Sequence, residues 1–349
     1  MRRPRDQRPA KCNIDEERYD RDFLLGEYRT LYLAHSSRPD IREQGASGGV
    51  TTELLINLLE QGKINGVLAA GFAETEPLTP CYLFKNDPDE VRLLAGSIYA
   101  YMELSQLRNA MKTIDDQPVA VVVQPCHVPT VRRWQQNEFP NIRLIVSFFC
   151  GYNMIRDAIP YLLSKTGTDQ SQVSKILFRG GPYPGGFSVV RKDGHSVHLG
   201  KECYELANLM FLRKGCGKCS LYMGESADIA MGDAWIREHP RHTAVVCRSS
   251  AGEEALFSAV RRGRVELYSL PEKTLVRMHF HNLIYKKYGH SFSMNWLIVL
   301  FSDVLPRSLV PFSLLARLSY YRRKFKIGVS VPFLDKIGRQ ADEKEREIA

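Results

Sequence analysis

The residues best suited to chemistry in this sequence are cysteines. Cys216 and Cys219 stand in Lys214-Gly-Cys-Gly-Lys-Cys-Ser220, a C-x-x-C spacing that can turn two sulfurs toward one centre. Gly215 and Gly217 give that turn backbone freedom. Cys126 follows the run Val119-Ala-Val-Val-Val123, and Cys150 follows Ile142-Arg-Leu-Ile-Val-Ser-Phe-Phe149. Both runs read as buried strands, and each cysteine precedes a predicted helix, one through 131–134 and one over 153–165. Strands joined by a helical crossover are expected to be parallel. As neighbours they would set both thiols at one carboxyl edge, where open α/β sheets place their ligands. Strands lie about 4.8 Å apart, which suits two corners of an iron–sulfur cube. Helix N-termini just beyond would favour thiolate. Cys126, Cys150, Cys216 and Cys219 together make the four thiolates that such a cluster requires.

The C-x-x-C pair alone is also compatible with half of a structural zinc site or with a dithiol redox pair, although no second C-x-x-C or C-x-x-H occurs. Cys12, Cys81, Cys203 and Cys247 read as spares. Cys247 lies inside an apolar strand, and Cys203 is an outside candidate ligand. Eight cysteines in 349 residues are too sparse for a disulfide scaffold.

A second constellation is rich in glycine. Gln44-Gly-Ala-Ser-Gly-Gly-Val50 precedes a helix in which Leu54, Leu55, Leu58 and Leu59 recur at helical spacing. Ser47, Gly48 and Gly49 would let a phosphate approach main-chain N–H groups at the positive helix end, or Ser47 would simply cap the helix. Gly96-Ser-Ile-Tyr99, Gly180-Gly-Pro-Tyr-Pro-Gly-Gly186 and Gly232-Asp-Ala-Trp235 are further tight turns. They would cradle an isoalloxazine or serve as ordinary turns.

The elements that must position these groups alternate strand and helix in the first half. Short strands fall at 31–34 and 66–71, and the segment 88–114 reads as helical with a break at Gly96-Ser97. After residue 170 the texture changes to short strands at 176–178, 187–190, 197–199, 227–232 and 243–248. A helix follows over 253–262, and 270–326 reads as helical. The expected fold class is α/β, with a mixed, mostly parallel sheet core, a second α+β portion and a helical C-terminal segment. The expected division is a basic lead-in over 1–27, an α/β N-terminal domain over 28–170, a C-terminal α+β domain over 171–303 that carries the C-x-x-C, and a basic tail over 304–349.

The net charge of +9 is concentrated in residues 1–11, net +4, and 304–334, net +6, which leaves the body near neutral. No nucleic-acid surface is therefore expected of the fold. The basic, aromatic tail would be either a solvated extension or a peripheral contact with anionic lipid or an acidic partner. No apolar stretch follows the basic N-terminus, and the longest apolar run, Trp296 to Phe301, is too short to span a bilayer. The expected location is cytoplasmic.

Six separated motifs keep a fixed order: Gln44 to Val50, Pro125-Cys126-His127, Phe149-Cys150-Gly151, Phe178-Arg179 with Pro184-Gly-Gly186, Cys216-x-x-Cys219, and Ala227-Asp-Ile-Ala-Met-Gly-Asp233. In this order they resemble the coenzyme F420 hydrogenase/dehydrogenase beta-subunit family, over roughly residues 28–262. The resemblance implies an oxidoreductase subunit that binds FAD and a [4Fe–4S] cluster. Such a subunit passes electrons between an iron–sulfur partner protein, ferredoxin-like, and a small-molecule acceptor, coenzyme F420 or another. It places Cys126, Cys150, Cys216 and Cys219 on the family's cluster cysteines. Ser47, Gly48, Gly49, Ser97 and Tyr99 fall in its flavin-binding segments, and Asp233 in a stretch lining the same cleft. Two departures stand out. Only Cys12 precedes the body where many members carry a ferredoxin-like module, and Gln124 replaces the usual small residue before Pro-Cys. The alternative expectation is a non-catalytic, partner-binding or membrane-surface member on the same fold, of the kind found among polysaccharide-synthesis proteins.

Overall fold

The computed structural model describes residues 21–288, apart from 74, 202–206, 209 and 237. Most of the lead-in, the tail over 304–349, Cys12, Cys203 and the helical expectation beyond 288 lie outside the described residues.

The strands are β1 (Thr30–Ser36), β2 (Gly66–Phe72), β3 (Pro80–Lys85), β4 (Val119–Val123), β5 (Ile142–Phe148), β6 (Val173–Gly180), β7 (Gly186–Arg191), β8 (Ser196–Leu199), β9 (Ile229–Asp233), β10 (Thr243–Cys247) and β11 (Val265–Ser269). The helices are α1 (Arg21–Leu25), α2 (Pro39–Gln44), α3 (Val50–Glu60), α4 (Pro88–Leu93), α5 (Leu104–Lys112), α6 (Val128–Asn137), α7 (Ala158–Lys165), α8 (Ser250–Arg261) and α9 (Glu272–Tyr288).

Eight strands form one sheet in the order β11-β1-β10-β9-β5-β4-β2-β3, and β6-β7-β8 form a second, antiparallel sheet. The large sheet is mixed. Its centre, β2-β4-β5-β9, is parallel, and both flanks are antiparallel. The predicted pairing of the two cysteine-bearing strands is present: β4 and β5 run parallel, with Val121 opposite Ile145. Chain from beyond residue 170 returns as β9, β10 and β11, so both halves of the sequence build one sheet.

The core follows from strand alternation. Val119, Val121 and Val123 of β4 pack with Leu107 and Met111 of α5 and with Val128 and Val131 of α6. Ala120, between them, faces the cluster that holds α3 and α8. Helices thus cover both faces, which is why the parallel strands read as unbroken apolar runs. Cys247 is fully buried in β10, as its apolar surroundings predict.

The expected break in the helical segment 88–114 is present and wider than Gly96-Ser97: residues 95–103 leave helical geometry and separate α4, capped at its start by Asp87, from α5. Two further points differ from the sequence reading. The helix expected over 153–165 begins only at Ala158, because residues 153–155 are drawn into strand-like bonds with Tyr99 and Phe211. Strands β3 and β11 escaped the sequence reading. Pro80 and Cys81 blur the first, and β11 is a half-exposed edge strand.

Buried polar groups lock the layers. Asp228, 3% exposed, accepts from the Ile145 backbone N–H at 2.7 Å, from Ser249 Oγ at 2.7 Å and from Arg132 Nη2 at 2.9 Å. It ties β5, α6 and the start of α8 to the strand it precedes.

Candidate cofactor site

The carboxyl ends of β4, β5 and β9 deliver Gln124, Phe149-Cys150 and Gly232-Asp233 to the wall of one cavity of about 610 Å³. That is the volume class of small-molecule and cofactor sites. Its other walls are the 45–52 segment entering α3, the 94–99 segment, Arg179 at the end of β6, and α9.

The glycine loop is held by its own backbone chemistry. Gly49 is the N-cap of α3 with φ +74°, and a Cβ there would lie 2.7 Å from the Ile41 carbonyl. Gly48 donates its N–H to Thr243 Oγ1 at 2.9 Å, and its carbonyl accepts from Ser36 N–H at 2.8 Å. Ser47 Oγ bonds Thr243 Oγ1 at 2.9 Å instead of capping the helix. Ser47 and Gly49 line the cavity with Val50, Thr51 and Thr52, whose N–H groups belong to the unsatisfied first turn. Gly48 is not in the lining, because its N–H is already used to fix the loop.

Ser97, Tyr99 and Asp233 all line the cavity. Asp233 is not a free carboxylate: Arg179 grips it through Nη1 at 2.9 Å and Nη2 at 3.3 Å. Arg179 also donates to the Ala46 carbonyl at 2.7 Å, the Pro184 carbonyl at 2.6 Å and Tyr99 Oη at 3.3 Å. One buried guanidinium therefore cross-links the glycine loop, β9, the 94–99 segment and the β6–β7 turn. The Gly180–Gly186 turn does not itself reach the cavity and contributes only through Arg179.

The four predicted ligand cysteines are brought into one neighbourhood. Cys126 and Cys150 follow adjacent parallel strands. Cys216 lies in a 3-10 turn, Lys214–Lys218, and Cys219 closes it. The turn hangs on the segment after Cys150, with Arg213 N–H donating to the Asn153 carbonyl at 3.0 Å and Leu212 bridging Met154. Gly215 provides room rather than a left-handed turn: a Cβ there would lie 2.5 Å from Arg213 Nη1.

Burial pushes the Cys126 thiol up to about 11, with the thiolates of Cys219 and Cys216 adding to the rise and Arg213 opposing it. Although Cys126 is exposed by surface area, the protein packed around its sulfur is the largest cause of that shift. Burial raises Cys150 still more; Lys286 opposes it, and the other three thiolates add to it. Burial also raises Cys216, against a backbone hydrogen bond at Asn153 and the charges of Lys286 and Arg213. The expectation that helix N-termini favour thiolate is thus outweighed by desolvation. For Cys150 the helix is also out of reach, since α7 begins eight residues on.

Among the described residues, no three His, Cys, Asp or Glu side chains are arranged to hold a single metal ion. A four-iron cube takes one thiolate per iron, so its sulfurs stand further apart than ligands around one zinc. Four soft thiols that feel one another's charge, flanked by the cations Arg213 and Lys286, fit that donor set. The cavity wall also offers unsatisfied polar atoms to a guest. Among the described residues, two of the cavity-lining side chains, His279 and Asn208, carry a buried polar atom, Nε2 and Oδ1, with no hydrogen-bond partner.

Several site residues had no sequence signal of their own. Arg213 stacks on the Tyr101 ring at 3.7 Å, and Lys286 donates to the Cys216 carbonyl at 3.2 Å. Lys201 lies 4.1 Å from the Trp235 ring centre at the cavity wall. Gln124, the departure beside Pro125, lines the cavity and accepts from the Cys126 thiol at 3.8 Å.

A ligand-sized cavity at the carboxyl edge of a mixed α/β sheet, with Cys150 in its wall, defines an α/β protein with a site of cofactor size. The sequence profile described as coenzyme F420 hydrogenase/dehydrogenase, beta subunit N-term, matches residues 31–108, and its C-terminus counterpart matches residues 116–273. The chain belongs to this family and is an oxidoreductase subunit by that membership. It is 25% identical over 267 residues to the coenzyme F420 hydrogenase subunit beta of Methanothermobacter thermautotrophicus, covering 72% of this chain and 88% of that one. It is 27% identical over 244 residues to the coenzyme F420-dependent sulfite reductase of Methanocaldococcus jannaschii, covering 65% of this chain and 36% of that longer protein. A chain of the F420-reducing [NiFe] hydrogenase complex from Methanosarcina barkeri shares the fold, with a TM-score of 0.57 at 20% identity over 89% of this chain and 98% of that one. Among the described residues no helix is long and apolar enough to cross a membrane.

Proposed function

We propose that this chain holds FAD in the cavity and a [4Fe–4S] cluster on Cys126, Cys150, Cys216 and Cys219, and passes electrons between an iron–sulfur partner protein and an organic acceptor of the coenzyme F420 kind. One observation carries the reading: Cys150 belongs to the thiol group and also lines the cavity, so the two sites share a wall. The names of the relatives, an F420 hydrogenase subunit and an F420-dependent sulfite reductase, support the acceptor class.

When bound, the cluster supplies single-electron transfer and the flavin supplies the exchange between one- and two-electron chemistry. The protein's own part is positioning. Ser47, Gly49 and the first turn of α3 offer hydroxyl and N–H donors to a phosphate. Ser97 and Tyr99 line the wall that Arg179 holds in place, and Asp233 is fixed as the partner of Arg179. Arg213 and Lys286 place positive charge beside thiolates that would otherwise repel one another.

Anaerobic purification of the full chain tests the reading. The expected product is brown, with about four iron and four sulfide per chain and a bound flavin. A colourless protein with zinc and no flavin absorbance would overturn it.

A further inference from the structure

Helix α9 lies almost wholly beyond the segment that matches the family profiles, which ends at residue 273. It nevertheless forms a wall of the cavity through Met278, His279 and Asn282. Its buried face is unusual for a helix packed on a core. Leu275, His279, Leu283 and Lys286 are all buried, so polar and apolar side chains alternate along the face turned inward. The helix is anchored near both ends, by Tyr28 bonded to Glu272 and by Lys287 Nζ on Glu225 at 2.7 Å.

His279 is 3% exposed and packs edge-on against the Phe149 ring at 5.0 Å. Its two ring nitrogens have different surroundings. Nδ1 lies 2.9 Å from Tyr222 Oη, and Asn282 Nδ2 donates to that same oxygen at 3.2 Å. The Tyr222 hydroxyl is then free to donate its own proton to Nδ1, which places the imidazole proton on Nε2. Among the described residues no acceptor meets hydrogen-bond geometry at Nε2. Burial holds the ring pKa down at about 4, with the charge of Asp233 and a hydrogen-bonding contribution from its backbone opposing the drop, so the ring is neutral near pH 7. A buried N–H without an acceptor carries a desolvation cost, and a ligand acceptor removes it.

The geometry points to His279 as a ligand-binding residue of the cavity: its Nε2–H donates to an acceptor atom, a carbonyl oxygen or ring nitrogen, of the heteroaromatic cofactor bound there, and Asn282 and Tyr222 fix the tautomer. This rests on the flavin reading above and adds to it a donor from a helix outside the matched family segment. Asn282 and Tyr222 are positioning residues in this relay.

FAD itself is the probe. The full chain, stripped of flavin under anaerobic conditions, is titrated with FAD by absorbance and flavin fluorescence. His279→Phe keeps a planar ring and deletes the donor; it should weaken FAD binding about tenfold, the cost of one hydrogen bond at about 1.4 kcal/mol, and shift the flavin absorbance bands. His279→Gln retains an N–H donor and should recover most of the affinity and the band positions. Tyr222→Phe should fall between, because the ring stays but its tautomer is released. Circular dichroism identifies any variant that fails to fold, and in that event the Gln and Tyr222 variants decide the matter. FAD affinity and spectra equal to wild type in the folded Phe variant, or no difference between Phe and Gln, would overturn the role of His279. A wild-type chain that takes up no FAD would overturn the flavin reading itself, and the donor role with it.

Discussion

At the scale of single residues, the site depends on charge held in dry surroundings. Lys286 is 2% exposed and donates to the Cys216 carbonyl, with its ammonium 5.1 Å from the centre of the Tyr152 ring. A cube held by four thiolates is anionic, and a nearby cation stabilises its reduced form most. Lys286→Met should therefore lower the cluster midpoint potential; a redox titration followed by electron paramagnetic resonance would read the shift. If the proposed cluster is bound, Cys150→Ser should cost more iron than Cys126→Ser, because the Cys150 thiol is the more deeply desolvated and solvent can stand in at Cys126. Iron and sulfide assays on the two purified variants check that order.

His279 carries a pH prediction. Its ordinary value is 6.5, and burial takes it to about 4 in the folded chain. The unfolded chain binds the proton first, so this contribution to stability is complete above about 6.5 and is lost as pH falls toward 4. The loss is on the order of 3 kcal/mol. Urea unfolding at stepped pH should show it, and His279→Phe should flatten that part of the profile.

At the scale of elements, the cysteine edge was legible in the sequence and the walls around it were not. Val119–Val123 and Ile142–Phe148 announce themselves as buried strands, and their parallel pairing follows from the crossover helix. Helix α9 was expected as part of 270–326, but its place in the site was not legible: its inward face carries His279 and Lys286, so apolar periodicity, the usual sign of a packed helix, is broken where the helix meets the site. Arg179 is similar. It stands inside a motif, yet its role depends on four segments that meet only in three dimensions. The glycine loop was singled out as a place of close main-chain approach; Gly48 fixes the loop, while Ser47 and Gly49 line the cavity. Asp228 gives the element-scale test. Asp228→Ala leaves the Ile145 N–H and the Arg132 guanidinium without their buried partner, and should destabilise the fold by about 3–5 kcal/mol in urea.

At the scale of the whole molecule, both halves of the chain contribute strands to one sheet and walls to one cavity. A ligand there bridges residues from 45 to 282 and binds only when all of them are assembled. Saturating FAD should therefore raise the melting temperature of the entire chain in a single transition. At a hundred times its dissociation constant, the stabilisation should be about 2.7 kcal/mol. Calorimetry would report a partial effect as a split transition. The boundary near residue 170, read from a change in texture, marks the entry to the small sheet. The sequence carries no local sign that β9 to β11 then rejoin the first sheet, because strand partners far apart in the chain leave no periodic trace.

The two ends of the thiol group differ in one respect: Cys126 is exposed and Cys150 lines the cavity. A cube seated on them would have an outward corner and an inward one. Dioxygen would then meet the outward corner first, so aerobic decay should begin with loss of a single iron at Cys126, while a flavin bound behind Cys150 would keep its colour.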